Sequence, residues 1–167
     1  MIRRELRYAF IFMMILSMIS LGLSSRENKE FDDFFDAQKE REKEKIQEEE
    51  AVIKRVSEKY ILTFFYRGNQ EASNEAARYV LNLTQKYNWL TYAISLDGIF
   101  IDGFENNKIN NGIYEEFRDR SYQSNFKGPS LFLFNPQNNN VHWIASWLSE
   151  FEKLEYQIYT RDLYFGL

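Results

Sequence analysis

The sequence predicts an α/β domain in which a central mixed sheet is flanked by helices and preceded by a charged helical arm. Three observations lead to this prediction: apolar runs of strand length, amphipathic segments between them, and the resulting order β-α-β-α-β-β-α. A chain of 167 residues has room for one compact domain and an arm. Its 15 Phe, 11 Tyr and 3 Trp supply enough apolar surface for a small core.

The N-terminal segment has the three-part layout of a secretory signal. Three arginines within the first seven residues precede an uncharged apolar run from Tyr8 to Leu23, and the small residues Ser24 and Ser25 follow. The run is shorter than the ~20 residues that span a bilayer comfortably, which favours a cleaved signal. We therefore assign residues 1–25 to a signal peptide, with an N-terminal membrane anchor as the alternative.

Residues 26–56 are predicted to form a charged helical linker. Charge is densest between Gln38 and Glu50, and neither Pro nor Gly interrupts the segment. Oppositely charged i,i+3 pairs support a solvated helix. One interpretation is a spacer between the membrane and the domain. The other uses Phe31, Phe34 and Phe35, spaced i, i+3, i+4, as a face that docks on another protein.

The folded domain is predicted to span residues 57–160 and to open with a β-α-β unit. The continuous run Tyr60–Tyr66 is apolar enough for a buried central strand. Residues Gln70–Tyr87 carry an amphipathic pattern that Asn69 could cap. The run Leu90–Leu96 gives the second strand. A parallel pair joined by a right-handed crossover is expected.

The second half begins with a Gly- and Asn-rich stretch, which runs to Gly112 and is predicted to be a surface loop. A short helix over 113–122 follows, capped by Asn110 or Asn111.

Two strands, 130–134 and 141–146, are joined by a short turn and should form an antiparallel hairpin. A capping box at Ser149–Glu152 then starts the terminal helix. Residues 161–167 remain as a C-terminal tail.

This order of elements is that of the thioredoxin fold. In that fold the chemistry lies at the N-terminus of the first long helix, where free N–H groups and the helix dipole stabilise a thiolate. Here Gln70 and Ser73 stand where a Cys-X-X-Cys pair would stand, and the chain contains no cysteine. Thiol redox chemistry, disulfides and thiolate metal sites are therefore excluded by composition.

Four motifs resemble, in order and spacing, the thioredoxin-like domain of TraF-type pilus-assembly proteins of F-type conjugative transfer (type IV secretion) systems. The motifs are Phe64–Asn69, Ala93–Gly98, Asn110–Gly112 and Pro129–Pro136. Some members of that family keep Cys-X-X-Cys and act as disulfide oxidoreductases, whereas others have lost the motif. The resemblance, which covers about residues 57–160, implies a periplasmic, non-enzymatic assembly factor whose partners are other envelope proteins of the transfer apparatus. It implies contact with the membrane only through an uncleaved N-terminal segment.

The resemblance also places Pro129 at the cis-proline position beside the redox helix. Together with Gln70 and Ser73 it would outline a surface that can hold an extended segment without reacting with it. The alternative is that these three residues serve folding alone. A periplasmic holdase with many clients is the alternative function.

Other functional classes are disfavoured by composition. The net charge is −4 with interspersed signs, which argues against nucleic-acid binding. The lone histidine, His142, is a poor basis for a metal site, and no cofactor is expected. Ser73, Asp97, Asp102 and His142 could serve a non-thiol enzyme, but their places in the predicted elements suggest no triad or carboxylate pair.

Overall fold

The computed structural model describes residues 25–121 and 128–167. Residues 1–24, which hold most of the predicted signal, and residue 122, the predicted end of the short helix, lie outside this description. The described elements, in chain order, are α1 (Ser25–Lys59), β1 (Ile61–Tyr66), α2 (Glu71–Tyr87), β2 (Thr91–Ser95), β3 (Asn106–Ile109), α3 (Ile113–Arg120), β4 (Ser130–Phe134), β5 (Val141–Ala145), α4 (Leu148–Phe151) and α5 (Leu154–Phe165).

The strands form one mixed sheet in the order β3-β2-β1-β4-β5. The pairs β1/β2 and β2/β3 are parallel, whereas β1/β4 and β4/β5 are antiparallel. The carboxyl ends of the parallel strands therefore meet the start of β4 and the end of β5 at one end of the sheet. The fold is thioredoxin-like, with the parallel half and the antiparallel hairpin that the sequence predicted.

The sheet is covered on both faces because alternate residues of β1 are apolar on both sides. Phe64 and Tyr66 belong to the larger cluster, which includes Ala76 and Val80 of α2. Phe65 belongs to the smaller cluster under α3. In that cluster the rings of Phe65, Phe117 and Phe132 lie 5.4 to 5.8 Å apart in edge-to-face pairs. Such pairs add specific geometry to the burial of apolar area.

The chain divides into two compact units, residues 1–46 and 47–167. In the described part of the first unit, Phe35 lies 4.7 Å from Phe31 and 5.8 Å from Phe34, measured between ring centroids. Phe34 is exposed, and the other two rings are half-buried. The predicted docking face is thus a cluster of three aromatic rings on one helix.

The second unit includes the last turns of α1, which the sequence analysis had placed in the linker. Ile53 and Val56 are fully buried in the larger cluster. Lys86 of α2 lies 2.9 Å from a carboxylate oxygen of Glu50 and 3.1 Å from one of Glu155, so it bridges α1 and α5. The core therefore begins before residue 57. No helix among the described residues is long and apolar enough to cross a membrane.

Three local predictions need correction. The stretch predicted as a surface loop contains β3, a polar edge strand held by its pairing with β2. The side chain of Asn110 accepts a hydrogen bond from the Tyr114 N–H, but the N-cap position of α3 belongs to Gly112. The terminal helical region starts at Leu148 rather than at the predicted Ser149–Glu152 box. The Glu150 side chain accepts the N–H groups of Ser146 and Trp147, the two residues that precede the helix.

The helical region also reaches further toward the C-terminus than the predicted domain end at residue 160. Helix α5 continues to Phe165, and the terminal Leu167 is buried.

Candidate functional site

The position predicted to correspond to a Cys-X-X-Cys motif lies at the carboxyl end of β1, where the chain enters α2. Gln70 is the N-cap residue, with extended backbone (φ −104°, ψ 128°), no side-chain cap and a half-buried side chain. Ser73 is fully buried, and its Oγ accepts a hydrogen bond from the Arg67 N–H at 3.2 Å. Ser73 therefore stabilises the loop between β1 and α2 from the protein interior, whereas the side chain of Gln70 is partly accessible at the surface.

Asp97 ties the loop after β1 to the end of β2. Its Oδ1 accepts the N–H of Gly68 at 3.0 Å and that of Ile99 at 3.2 Å, and its Oδ2 accepts the N–H of Asn69 at 3.1 Å. The Ser95 hydroxyl lies 2.9 Å from Asp97 Oδ1 and also 2.9 Å from the Ile99 carbonyl oxygen. From the sequence, Asp97 was considered as a candidate for non-thiol chemistry, and this role was missed, although an Asp beside Gly often bonds nearby backbone.

The carboxylate of Asp97 is held in its charged form. Desolvation acts to raise its pKa, but the N–H groups of Asn69 and Gly68, together with the Ser95 hydroxyl and the Ile99 N–H, outweigh it and lower the pKa to about 2. Asp97 is therefore a permanent anion at physiological pH, and both its oxygens are already used in structural hydrogen bonds. These contacts describe a structural anchor, not a general base.

Gly68 lies close to the loop that follows β2. A Cβ at this position would lie 2.4 Å from the Ile99 carbonyl oxygen and 2.7 Å from the Ile99 Cγ2. Only a residue without a side chain fits at this approach.

A buried polar network holds the next part of that loop. The hydroxyl of Tyr66, itself fully buried, donates to Asn107 Oδ1 at 2.7 Å and accepts the Ile101 N–H at 3.3 Å. The Asn107 amide in turn donates to the carbonyl oxygens of Ile101 and Phe104. Burial raises the pKa of Tyr66, so its hydroxyl stays protonated and can donate. Hydrogen bonds to Asp97 and Tyr66 thus fix the loop at two places.

Pro129 lies at the same end of the sheet, immediately before β4. It is buried, and the next residue, Ser130, pairs with Phe65 of β1. The expectation of a cis bond is wrong: no peptide bond between described residues is cis, so Gly128–Pro129 is trans. This is the isomer that X–Pro bonds favour intrinsically. Gln70, Ser73 and Pro129 share one end of the sheet, but only Gln70 presents a partly accessible side chain.

The residues considered for enzymatic chemistry are not brought together. His142 pairs with Leu133 toward the opposite end of the sheet, and its ring meets that of Tyr60 edge to face at 5.7 Å. Burial and the charge of Arg161 lower the pKa of His142. Asp102 is exposed on the loop. In residues 25–121 and 128–167 no group of three or more His, Cys, Asp or Glu side chains could hold a metal ion.

Sequence reasoning missed the exposed side chains that surround this end of the sheet. Ile99 and Phe100 are each 50% exposed after β2, and Trp147 is 68% exposed after β5. Arg67 is exposed after β1, and its guanidinium forms no hydrogen bond or ion pair with any residue that the structure describes. Their common signal is position, since each follows directly, or within a few residues, the last residue of a strand. Exposed apolar groups and a cation on a fixed backbone suit binding of another chain.

One of the comparisons with known proteins identifies a family. No curated protein and no solved structure matches the chain significantly. The family model described as "TraF: F plasmid transfer operon protein" matches residues 35–159, more than half of the chain. This match includes all four motifs on which the resemblance depended. The chain therefore belongs to the TraF family of F plasmid transfer operon proteins.

Proposed function

We propose that the protein is a non-enzymatic assembly factor of a conjugative pilus or type IV secretion apparatus, which acts in the periplasm by binding other envelope proteins. The observation that carries the proposal is the family match over residues 35–159, which implies a role in F plasmid transfer. The chain has no cysteine, so a thiol-disulfide reaction cannot be that role. Binding is the function that the exposed side chains at the carboxyl end of the sheet support best.

Periplasmic location is part of the same proposal. It is motivated by the basic, apolar and small-residue layout of residues 1–25. A periplasmic alkaline phosphatase fusion after residue 59, the end of α1, should be active, and a fusion in which Arg3, Arg4 and Arg7 are replaced by Glu should lose that activity. An inactive wild-type fusion would contradict export.

The assembly role is tested by deleting the gene from a transfer-proficient host. We expect fewer pili by electron microscopy and a lower frequency of DNA transfer, both restored by the wild-type chain supplied in trans. A deletion strain with normal pili and normal transfer would refute the proposal. An export-deficient version is the matched control, because it should be expressed without restoring transfer.

A holdase for many clients is the second candidate. The exposed Ile99, Phe100 and Trp147 favour it, because apolar side chains on a surface can bind unfolded segments without sequence preference. Affinity capture from crosslinked envelopes separates the two functions. Recovery of transfer-apparatus proteins supports the assembly factor, whereas a broad set of unrelated envelope proteins supports the holdase.

A further inference from the structure

The exposed groups at the carboxyl end of the sheet form a row with a fixed order. Ile99 and Phe100 follow β2, Arg67 follows β1, and Trp147 follows β5, while the strand order is β2-β1-β4-β5. Arg67 therefore lies between two apolar groups. Gly68 touches the Ile99 backbone closely enough to exclude a Cβ, and the Ser146 and Ser130 hydroxyls lie 3.4 Å apart. These contacts join the end of β1 to the loop after β2, and the start of β4 to the end of β5, while β1 and β4 pair through their backbones.

The length of this row follows from strand spacing. Neighbouring strands lie about 4.8 Å apart, so the three steps from β2 to β5 cover about 14 Å. An extended chain rises about 3.3 Å per residue, so residues i and i+4 lie about 13 Å apart. Residues i, i+2 and i+4 also point to the same side. An extended segment can therefore place three side chains along the row at once.

The charge of the row determines which type of side chain the bound segment should carry at its middle position. Arg67 is exposed and forms no ion pair within the described residues. A second arginine, Arg118, lies close enough that both charges act on Tyr114, which packs on Phe65 at 5.1 Å. The guanidinium of Arg118 is already paired with Asp119 at 2.8 Å. Among the described residues of the row, Arg67 is thus the cation available to a partner, and carboxylates match its planar donors best.

We infer that this row binds an extended segment of an envelope protein in which an Asp or Glu lies two residues from an apolar side chain on either side. The apolar side chains contact Ile99 and Phe100 at one end and Trp147 at the other, and the carboxylate pairs with Arg67. Hydrogen bonds to Asp97 and Tyr66 hold the loops before the partner arrives, which lowers the entropic cost of binding. The inference rests on the proposed function and specifies the partner chemistry of the same site.

The test uses the purified full-length chain and the fluorescein-labelled peptide Gly-Ser-Leu-Ser-Glu-Ser-Phe-Ser-Gly, with fluorescence anisotropy as the readout. Two control peptides carry Lys in place of Glu, or Ser in place of both Leu and Phe. We expect the Glu peptide to bind most tightly. The substitution Arg67→Glu should weaken its binding about threefold to twentyfold, the range for losing an exposed ion pair and adding repulsion. The substitution Arg78→Glu, at an exposed arginine within α2, should leave binding unchanged.

The decisive comparison is the charge swap, in which the Arg67→Glu chain is tested against the Glu and Lys peptides. The Arg67→Glu chain should prefer the Lys peptide, and Phe100→Ser and Trp147→Ser should each weaken binding of every peptide that carries Leu and Phe. If wild type and Arg67→Glu rank the Glu and Lys peptides identically, the inference is overturned. It is also overturned if the wild-type chain binds none of the three peptides.

These outcomes are separate from those of the proposed function. If gene deletion abolishes transfer but the charge swap has no effect, the assembly role stands and this partner chemistry fails. If the charge swap works and deletion leaves transfer normal, the binding row is real and the assembly role fails.

Discussion

Asp97 joins two loops because its carboxylate accepts hydrogen bonds from groups on both of them. The donors are the N–H groups of Gly68 and Asn69 after β1, and the Ser95 hydroxyl and the Ile99 N–H around the end of β2. Gly68 makes the same junction possible by leaving room for the Ile99 backbone. Asp97 and Gly68 thus fix the loops that carry Arg67, Ile99 and Phe100.

Replacing Asp97 by Asn should destabilise the chain by about 1–3 kcal/mol at pH 7, the range for losing charged hydrogen bonds. The pKa of Asp97 falls from an ordinary 3.8 to about 2 on folding, so its contribution is present above pH 4 and is lost as the pH falls from 4 to 2. Urea unfolding at pH 7, 4 and 2 measures this. The gap between wild type and variant should close at pH 2, and a gap that stays constant would contradict the assignment.

Replacing Gly68 by Ala should cost about 1–3 kcal/mol, because the added methyl group forces the Ile99 backbone to move. Gly128→Ala is the matched control, since a Cβ there would meet only the Ser146 carbonyl oxygen at 3.7 Å. Thermal unfolding compares the two variants. Equal melting temperatures would show that the two loops are not packed as described.

At the scale of elements, the sequence predicted the helices and strands in which apolar residues recur with the period of that structure. Strand β4 has the predicted bounds, Ser130–Phe134, and its residues are almost wholly buried. Strand β3 has no such pattern, since Asn106, Asn107 and Lys108 are polar, and its pairing with β2 holds it in place. A local pattern cannot reveal a strand that a neighbour stabilises.

For the candidate site, too, the sequence predicted what depends on local patterns and not what depends on contacts between distant parts of the chain. The location of the lost motif could be predicted from the order of elements, but the orientation of each side chain could not. Ser73 was expected on the surface, although its spacing to the buried Ala76, Ala77 and Val80 places it on the inner face of α2. The contacts of Asp97 and the trans bond before Pro129 depend on loops from different parts of the chain.

The final turns of α1 provide the element-scale prediction. Ile53 is fully buried in the core, so Ile53→Ala should cost about 2–5 kcal/mol, the range for truncating a buried Ile. Leu163→Ala on α5, where the side chain is 59% exposed, should cost less than about 0.5 kcal/mol. Chemical denaturation gives both values. A small effect at Ile53 would mean that the domain begins near residue 57 after all.

At the scale of the whole molecule, the fold has been kept around a position that carries no thiol. The parallel half, the antiparallel hairpin and the helix that starts beside Gln70 are all present. Neither the larger nor the smaller apolar cluster contains a cysteine or a methionine. The described residues therefore form a thioredoxin-like fold without a thiol at position 70 or 73.

Restoring the thiols tests this view of the whole fold. The double substitution Gln70→Cys and Ser73→Cys should produce a chain that forms an intramolecular disulfide in oxidised glutathione, detected by mass spectrometry as a loss of two hydrogens. The helix N-terminus should lower the pKa of the more accessible thiol, at position 70, below about 8.5, and pH-dependent alkylation measures that shift.

The two single substitutions are the controls, because each should give only a mixed disulfide with glutathione. Ser73→Cys should react more slowly than Gln70→Cys, since Ser73 is fully buried and Gln70 is half-buried. If the double variant folds but forms no internal disulfide, the start of α2 does not have redox-helix geometry.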